Sequence, residues 1–123
     1  MSKDFVQIVD DVISGVKLLR EGAPEPMKGF GALAMAATAS EAVDTKTKEL
    51  MALAISITLH CDGCVAFHTK MAHQQGATRE EIAETVALAV YMGGGQRQSM
   101  EETRSAPTTN SAAQKRCNVK HLN

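Results

Sequence analysis

Two cysteines separated by two residues, Cys61 and Cys64, are the side chains of this sequence best suited to chemistry. Thiols at this spacing can close a small disulfide ring, and the ionised thiolate is the reactive species. His68 follows in the next helical turn, and the carboxylate of Glu49 lies upstream. An acid–base pair beside two thiols can determine which of them is ionised. These four side chains therefore predict redox chemistry at sulfur, without a prosthetic group.

Cys61, Cys64 and His68 share one face if they lie on one α-helix. Each residue advances by about 100°, so the three side chains fall within about 60° of one another. The first turn of a helix presents free N–H groups that stabilise a thiolate, which on its own favours Cys61 as the more reactive thiol. Glu49 reaches this face if the preceding helix is antiparallel and the turn near His60 is tight. There its carboxylate can orient the imidazole, in a nucleophile–base–orienter arrangement.

Helical segments are predicted on both sides of this group. Apolar residues at three- and four-residue steps predict an amphipathic helix over residues 3–20, ended by Gly22 and the prolines that follow. Residues 27–38, rich in Ala and Met, predict a weaker second helix. Asp44 is a suitable N-cap for a third helix that continues to about Leu59. Its middle is apolar on nearly all sides, which predicts the central buried helix.

The fourth helix is predicted to start at or near Cys61 and to end at Gly76. Thr78 and Glu81 form a capping box for a fifth helix, which we expect the glycines at 93–95 to stop. The sequence then becomes polar, with a short helix predicted over 96–104 and disorder beyond Pro107. The predicted organisation is one helical domain over residues 1–95 and a polar, partly disordered C-terminal tail over 96–123.

Composition favours a small all-α fold. The chain of 123 residues is 44% hydrophobic but only 3% aromatic, so we expect closely packed small helices and an oligomer that buries further surface. Four methionines are expected to fill the core: Met35, Met51, Met71 and Met92. A formal net charge of −1 gives no field that would attract nucleic acid or an anionic membrane.

Location follows from two further features of the sequence. No apolar stretch reaches the roughly 18–20 residues of a membrane span, and the first residues lack the pattern of a signal peptide. We therefore expect a cytoplasmic protein. In that reducing compartment a CxxC pair is more often catalytic or metal-binding than structural. The third cysteine, Cys117, lies in the polar tail and has no evident partner.

The order Glu49, eleven residues, Cys61-Asp62-Gly63-Cys64, three residues and His68 resembles the E-x11-C-x2-C-x3-H signature of the alkylhydroperoxidase D-like, carboxymuconolactone decarboxylase superfamily. The sequence around the motif is also similar, over residues 44–54, 64–68, 76–78 and 91–95. The resemblance covers about residues 25–95. It implies a compact all-α bundle of five to six helices that assembles as a homotrimer or homohexamer.

The resemblance also implies a thiol-dependent peroxidase or disulfide reductase in antioxidant defence. Its substrate would be a hydroperoxide, and an external dithiol of the thioredoxin or lipoyl type would reduce it. In members with the motif the second cysteine, here Cys64, attacks the peroxide and the first, Cys61, resolves it, while Glu49 and His68 relay protons. The sequence departs from the best-characterised peroxidases at Gly63, where they carry histidine, and in its polar residues 96–123, where members continue as an apolar helix.

Three other interpretations compete with peroxide reduction. Decarboxylation of a lactone acid is the other activity of the superfamily, although decarboxylase members generally lack the CxxC pair. A zinc site could use Cys61, Cys64, His68 and His73, but the two histidines lie about 140° apart on one helix. The third alternative is a non-catalytic redox sensor or interaction module whose disulfide changes its assembly.

Overall fold

The computed structural model describes residues 2–105, and their side chains over residues 2–93. All regular elements in this range are helices: α1 (Phe5–Gly22), α2 (Pro24–Thr38), α3 (Thr45–Thr58), α4 (Asp62–Gln74) and α5 (Arg79–Ser105). The predicted all-α bundle of five to six helices is therefore confirmed, with five helices in the described residues. The disorder expected beyond Pro107 and the position of Cys117 lie outside the described residues.

Local sequence determines where the first three helices begin. The carboxylate of Asp4 caps α1 by accepting two backbone N–H groups, and Asp44 caps α3 by accepting the N–H of Thr47 at 2.7 Å. The second helix begins at Pro24, three residues earlier than predicted. Proline suits the first turn because its φ is already helical and its missing N–H would have no partner there.

The turn between α3 and α4 is tight, as the motif requires. His60 adopts a left-handed φ of 55°, which costs a non-glycine residue roughly 1 kcal/mol. Its N–H donates to the carbonyl of Ile57, and the N–H of Cys61 donates to the carbonyl of Ser56, both at 3.1 Å. This pair of bonds is a Schellman motif, and it reverses the chain so that Cys61 stands at the start of α4.

A second Schellman motif joins α4 to α5. Gly76 supplies the left-handed residue with φ 86°, and the N–H of Ala77 donates to the carbonyl of Ala72. The predicted capping box follows directly: Thr78 Oγ1 accepts the N–H of Glu81, and the Glu81 carboxylate accepts the N–H of Thr78. Both predicted boundaries at this turn are confirmed.

The prediction that the glycines at 93–95 stop the fifth helix is wrong. Helix α5 continues through them to Ser105, so the short helix predicted over 96–104 is its continuation. Glycine costs a helix interior only about 1 kcal/mol, whereas proline costs about 3, and no proline occurs before Pro107. A Cβ at Gly93 would lie 3.3 Å from Cγ2 of Thr58. The missing side chain thus allows α5 to approach α3 closely.

Helix α3 is central, since it contacts α2, α4 and α5, while α1 packs on α4. The buried apolar residues are mostly small: Val9, Leu53, Ala66, Ala72, Ala77 and Ala89. The prediction that methionines fill the core is wrong for three of them, because Met35, Met51 and Met92 are 75%, 53% and 49% exposed. A core of alanines keeps the helices close and leaves large side chains outside. None of the described helices is both long and apolar enough to cross a membrane.

An ion pair between α3 and α5 predicts a specific acid response. Lys46 Nζ donates to Glu81 Oε1 at 2.8 Å, and the N–H of Thr78 donates to the other oxygen. These bonds, the lysine first, hold the pKa of Glu81 below its usual 4.5. Its contribution to folding is therefore complete above pH 4.5 and is lost as pH falls through the lowered folded-state value.

We expect Glu81→Gln to lose less stability than the wild type as pH falls below about 4.5, since glutamine has no proton to take up. Urea denaturation between pH 7 and pH 3 measures this difference in the free energy of unfolding. Equal acid slopes for the two proteins would contradict it.

Candidate active site

Cys61 and Cys64 form a disulfide across the first turn of α4, with their Cα atoms 5.2 Å apart. Cys61 is the N-cap residue of the helix, and its Sγ accepts the N–H of Cys64 at 3.3 Å. Both residues are partly exposed. The sulfurs therefore lie at the positive end of the helix, where a thiolate is stabilised, and within reach of solutes.

The carboxylate of Glu49 and the imidazole of His68 form a direct hydrogen bond. The distance between Glu49 Oε2 and His68 Nδ1 is 2.7 Å. The Glu49 side chain is 7% exposed and that of His68 is 26% exposed. A carboxylate accepts the proton on Nδ1, which leaves Nε2 to accept a proton from elsewhere. Phe67 packs edge-on against the imidazole at 5.3 Å between ring centroids, which restrains the ring further.

One face of α3 is buried, and it carries two polar residues. Glu49, Leu53 and Ser56 are 5%, 1% and 4% exposed. At steps of four and three residues they fall within about 60° of one another, so they share a single face. Sequence reasoning identified Glu49 but missed Ser56. The signal that could have found it is its spacing of seven residues from Glu49 within an otherwise apolar helix.

The buried face of α3 lies opposite the motif residues of α4. The Glu49–His68 bond joins the helices at one level. Ser56 follows Glu49 by seven residues on α3, and Cys61 precedes His68 by seven residues at the start of α4. Because the helices are antiparallel, Ser56 and Cys61 stand at the same level. The backbone bond from Cys61 to Ser56 closes the other end of this antiparallel pair. By the same register the buried Leu53, four residues after Glu49, stands level with Cys64, four residues before His68.

Helix α1 covers the residues between the two cysteines. A Cβ at Gly63 would lie 2.9 Å from Cγ2 of Val12, closer than real Cβ atoms approach one another. Lys3, just before α1, pairs with the carboxylate of Asp62. A histidine at position 63 would therefore require the Val12 side chain to shift. Because Gly63 has no side chain, Val12 of α1 can pack closely against the start of α4.

The structure does not bring together the ligands of the zinc alternative. His68 is bonded to Glu49, whereas His73 lines a groove of about 530 Å³ against Phe5 and Val9 on another side of α4. Within residues 2–105, no group of three or more His, Cys, Asp and Glu side chains is placed to hold a metal ion. In the described part of the chain, His68 is bonded to the carboxylate of Glu49 and is not part of a metal-binding group.

Comparison with the models of known families identifies one family. Residues 24–100 match the model of the carboxymuconolactone decarboxylase family. An uncharacterized protein of Cupriavidus necator is 40% identical over 95 residues, which are 77% of this chain and 84% of the relative.

Two solved structures are also similar. The first is an apo carboxymuconolactone decarboxylase family protein of Legionella pneumophila, 46% identical with a TM-score of 0.72 over 76% of this chain and 84% of that one. The second is a family member of Thermotoga maritima for which a role in antioxidative response is suggested. It is 31% identical, with a TM-score of 0.62 over 80% of this chain and 90% of its own.

Proposed function

The chain belongs to the carboxymuconolactone decarboxylase family, and from this membership and its site we propose that it is a thiol-dependent oxidoreductase that reduces hydroperoxides. The observation that carries the proposal is the Cys61–Cys64 disulfide one helical turn from His68, which is bonded to the buried Glu49. A redox-active cysteine pair needs a nearby base that can ionise a thiol and a group that stabilises the protonated base. His68 and Glu49 are suited to these two roles. The antioxidative role suggested for the Thermotoga maritima relative is consistent with it.

In the first step His68 accepts the proton of the Cys64 thiol. The thiolate attacks one peroxide oxygen, so an S–O bond forms and the O–O bond breaks. The leaving alkoxide takes the proton back from the imidazole and departs as an alcohol. Cys64 is thereby oxidised to a sulfenic acid by two electrons.

In the second step the Cys61 thiol attacks the sulfenic sulfur. An S–S bond forms and the sulfenic oxygen leaves as water, which gives the disulfide seen in the structure. An external dithiol then reduces this disulfide by exchange and is itself oxidised to a disulfide. The partial exposure of both cysteines supports access by such a reductant, which a reducing compartment such as the cytosol would supply.

Glu49 acts through His68. Its carboxylate fixes the tautomer with the proton on Nδ1, so that Nε2 is free to act as a base toward the thiol. When the imidazole takes up the second proton, the carboxylate stabilises the cation. Because Glu49 is only 5% exposed, water does not screen this interaction strongly.

We also propose that the protein assembles as a homotrimer or homohexamer. The subunit exposes many large apolar side chains on α2, α3 and α5, including Phe30, Leu33, Met35, Met51, Ile55, Leu88 and Tyr91. Such an extensive apolar surface is rare on a monomer. Light scattering should give three or six times the subunit mass, and a monomeric mass would contradict the proposal.

Consumption of an organic hydroperoxide with an excess of recycling dithiol tests the proposed activity. We expect many turnovers per subunit, and prior alkylation of the thiols should abolish them. A single stoichiometric oxidation without turnover would indicate a sensor instead. If the protein decarboxylates a lactone acid and does so equally well after alkylation, the family's other activity applies.

A further inference from the structure

Ser56 is a buried hydroxyl that the proposed reaction does not use. It is 4% exposed, and with Glu49 it makes up the buried polar residues of the described chain. Its Oγ donates to the backbone carbonyl of Ala52 at 2.6 Å. That bond is local to α3, and such bonds from serine to the preceding turn do not strengthen a helix. Its presence on the face that packs against α4 therefore calls for another explanation.

We infer that Ser56 is a positioning residue for the reduced cysteine pair, whose hydroxyl donates a hydrogen bond to the sulfur of Cys61 once the disulfide opens. The inference rests on the proposed redox use of the pair. Its basis is the register of α3 and α4: Ser56 shares the buried face of Glu49 and stands level with Cys61. The backbone of Cys61 is bonded directly to that of Ser56 at 3.1 Å.

The chemistry of the two redox states explains the present bond to Ala52. A disulfide sulfur carries no charge and is a weak acceptor, so the single hydroxyl proton of Ser56 goes to the carbonyl oxygen instead. When the external dithiol attacks the sulfur of Cys64, Cys61 leaves as a thiolate next to the buried face of α3, where an anion needs hydrogen-bond donors. Rotation about the Cα–Cβ bond of Ser56 redirects the proton from Ala52 to Cys61. The serine thus stabilises the reduced form more than the oxidised one.

The test is the equilibrium between the protein disulfide and a glutathione buffer. Loss of a donor to the reduced form makes the disulfide harder to reduce. We expect Ser56→Ala to lower the equilibrium constant for reduction about tenfold, which corresponds to a potential about 30 mV more negative. Ser56→Thr keeps the hydroxyl and should stay near the wild type, whereas the similarly shaped Ser56→Val should behave like alanine. This Thr–Val pair decides the question even if the alanine variant folds poorly.

Thr85→Ala is the matched control, because Thr85 Oγ1 makes the same kind of bond to the carbonyl of Glu81, at 2.7 Å, on another helix. It should leave the potential unchanged. An unchanged equilibrium in Ser56→Ala, or equal values for Ser56→Thr and Ser56→Val, would overturn the inference. The measurement uses no hydroperoxide. A failure of the proposed peroxidase activity would therefore appear as absent turnover, separately from a failure of the role of Ser56.

Discussion

Replacing Cys64 with serine is expected to reduce hydroperoxide turnover to the background rate. Serine has nearly the same shape, but its hydroxyl does not ionise near neutral pH and is a poor nucleophile towards peroxide. Cys64 lies one helical turn before His68, which is bonded to Glu49. In the proposed reaction it is therefore the thiol that loses its proton to the imidazole. Stopped-flow measurement with an organic hydroperoxide should detect neither a sulfenic acid nor a disulfide in Cys64→Ser.

The matched variant is Cys61→Ser, which should still be oxidised once but should not form the disulfide or turn over. Cys117→Ser removes the cysteine outside the described residues and should keep wild-type turnover. The assignment would be contradicted if Cys64→Ser were still oxidised by peroxide while Cys61→Ser were inert. That outcome would favour the thiol nearest the helix N-terminus as the nucleophile.

Removing the charge of Glu49 is expected to have the second largest effect. Glutamine keeps the shape of the side chain, so Glu49→Gln preserves packing beside Leu53 but can no longer fix the tautomer of His68 or stabilise its cation. Positioned acid–base catalysis contributes about 100- to 10,000-fold to a rate. We therefore expect the rate constant for oxidation of reduced protein by hydroperoxide to fall at least about 100-fold.

Glu84→Gln is the control for Glu49→Gln, because it removes an exposed carboxylate from α5. It should retain the wild-type rate constant. Comparison of the oxidation rate constants with unfolding curves separates a lost proton relay from a damaged fold. A folded Glu49→Gln protein with the wild-type rate constant would show that the buried carboxylate does not act on the thiol.

Much of the site was predictable because its geometry follows from short-range rules. Three-residue and four-residue steps place Cys61, Cys64 and His68 on one helical face wherever a helix forms. The tight turn before α4 brings Glu49 back to that face. The capping residues of α3 and α5, Asp44 and Thr78, were recognisable because their side-chain bonds are local.

The end of α5 and the exposure of the methionines depend on packing between segments far apart in sequence. A local sequence pattern carries no information about such packing. Glycine at position 93 weakens a helix, but whether it ends one depends on α3 lying close enough to fill the space beside it. The exposure of Met35 and Met51 follows from how few large side chains the core of the described chain accommodates. A large apolar side chain predicts burial but does not say against what. For Met35 and Met51 we propose burial between copies of the chain in the oligomer.

The position of α1 over the motif was also beyond sequence reasoning. The absence of a side chain at Gly63 looked like a loss of the histidine found in the best-characterised peroxidases. The structure places Val12 in that space, so the glycine is matched by a long-range contact. The proposed proton path therefore uses His68 and Glu49 and no side chain at position 63.

Site-resolved trapping of the first oxidation product tests the central claim most directly. The measurement treats reduced Cys61→Ser, in a Cys117→Ser background, with one equivalent of organic hydroperoxide and a sulfenic-acid reagent, followed by peptide mass spectrometry. A single adduct on Cys64, formed far more slowly when Glu49→Gln is added, is the predicted result. Absence of an adduct at Cys64, together with an adduct at Cys61 in the corresponding Cys64→Ser protein, would contradict the account.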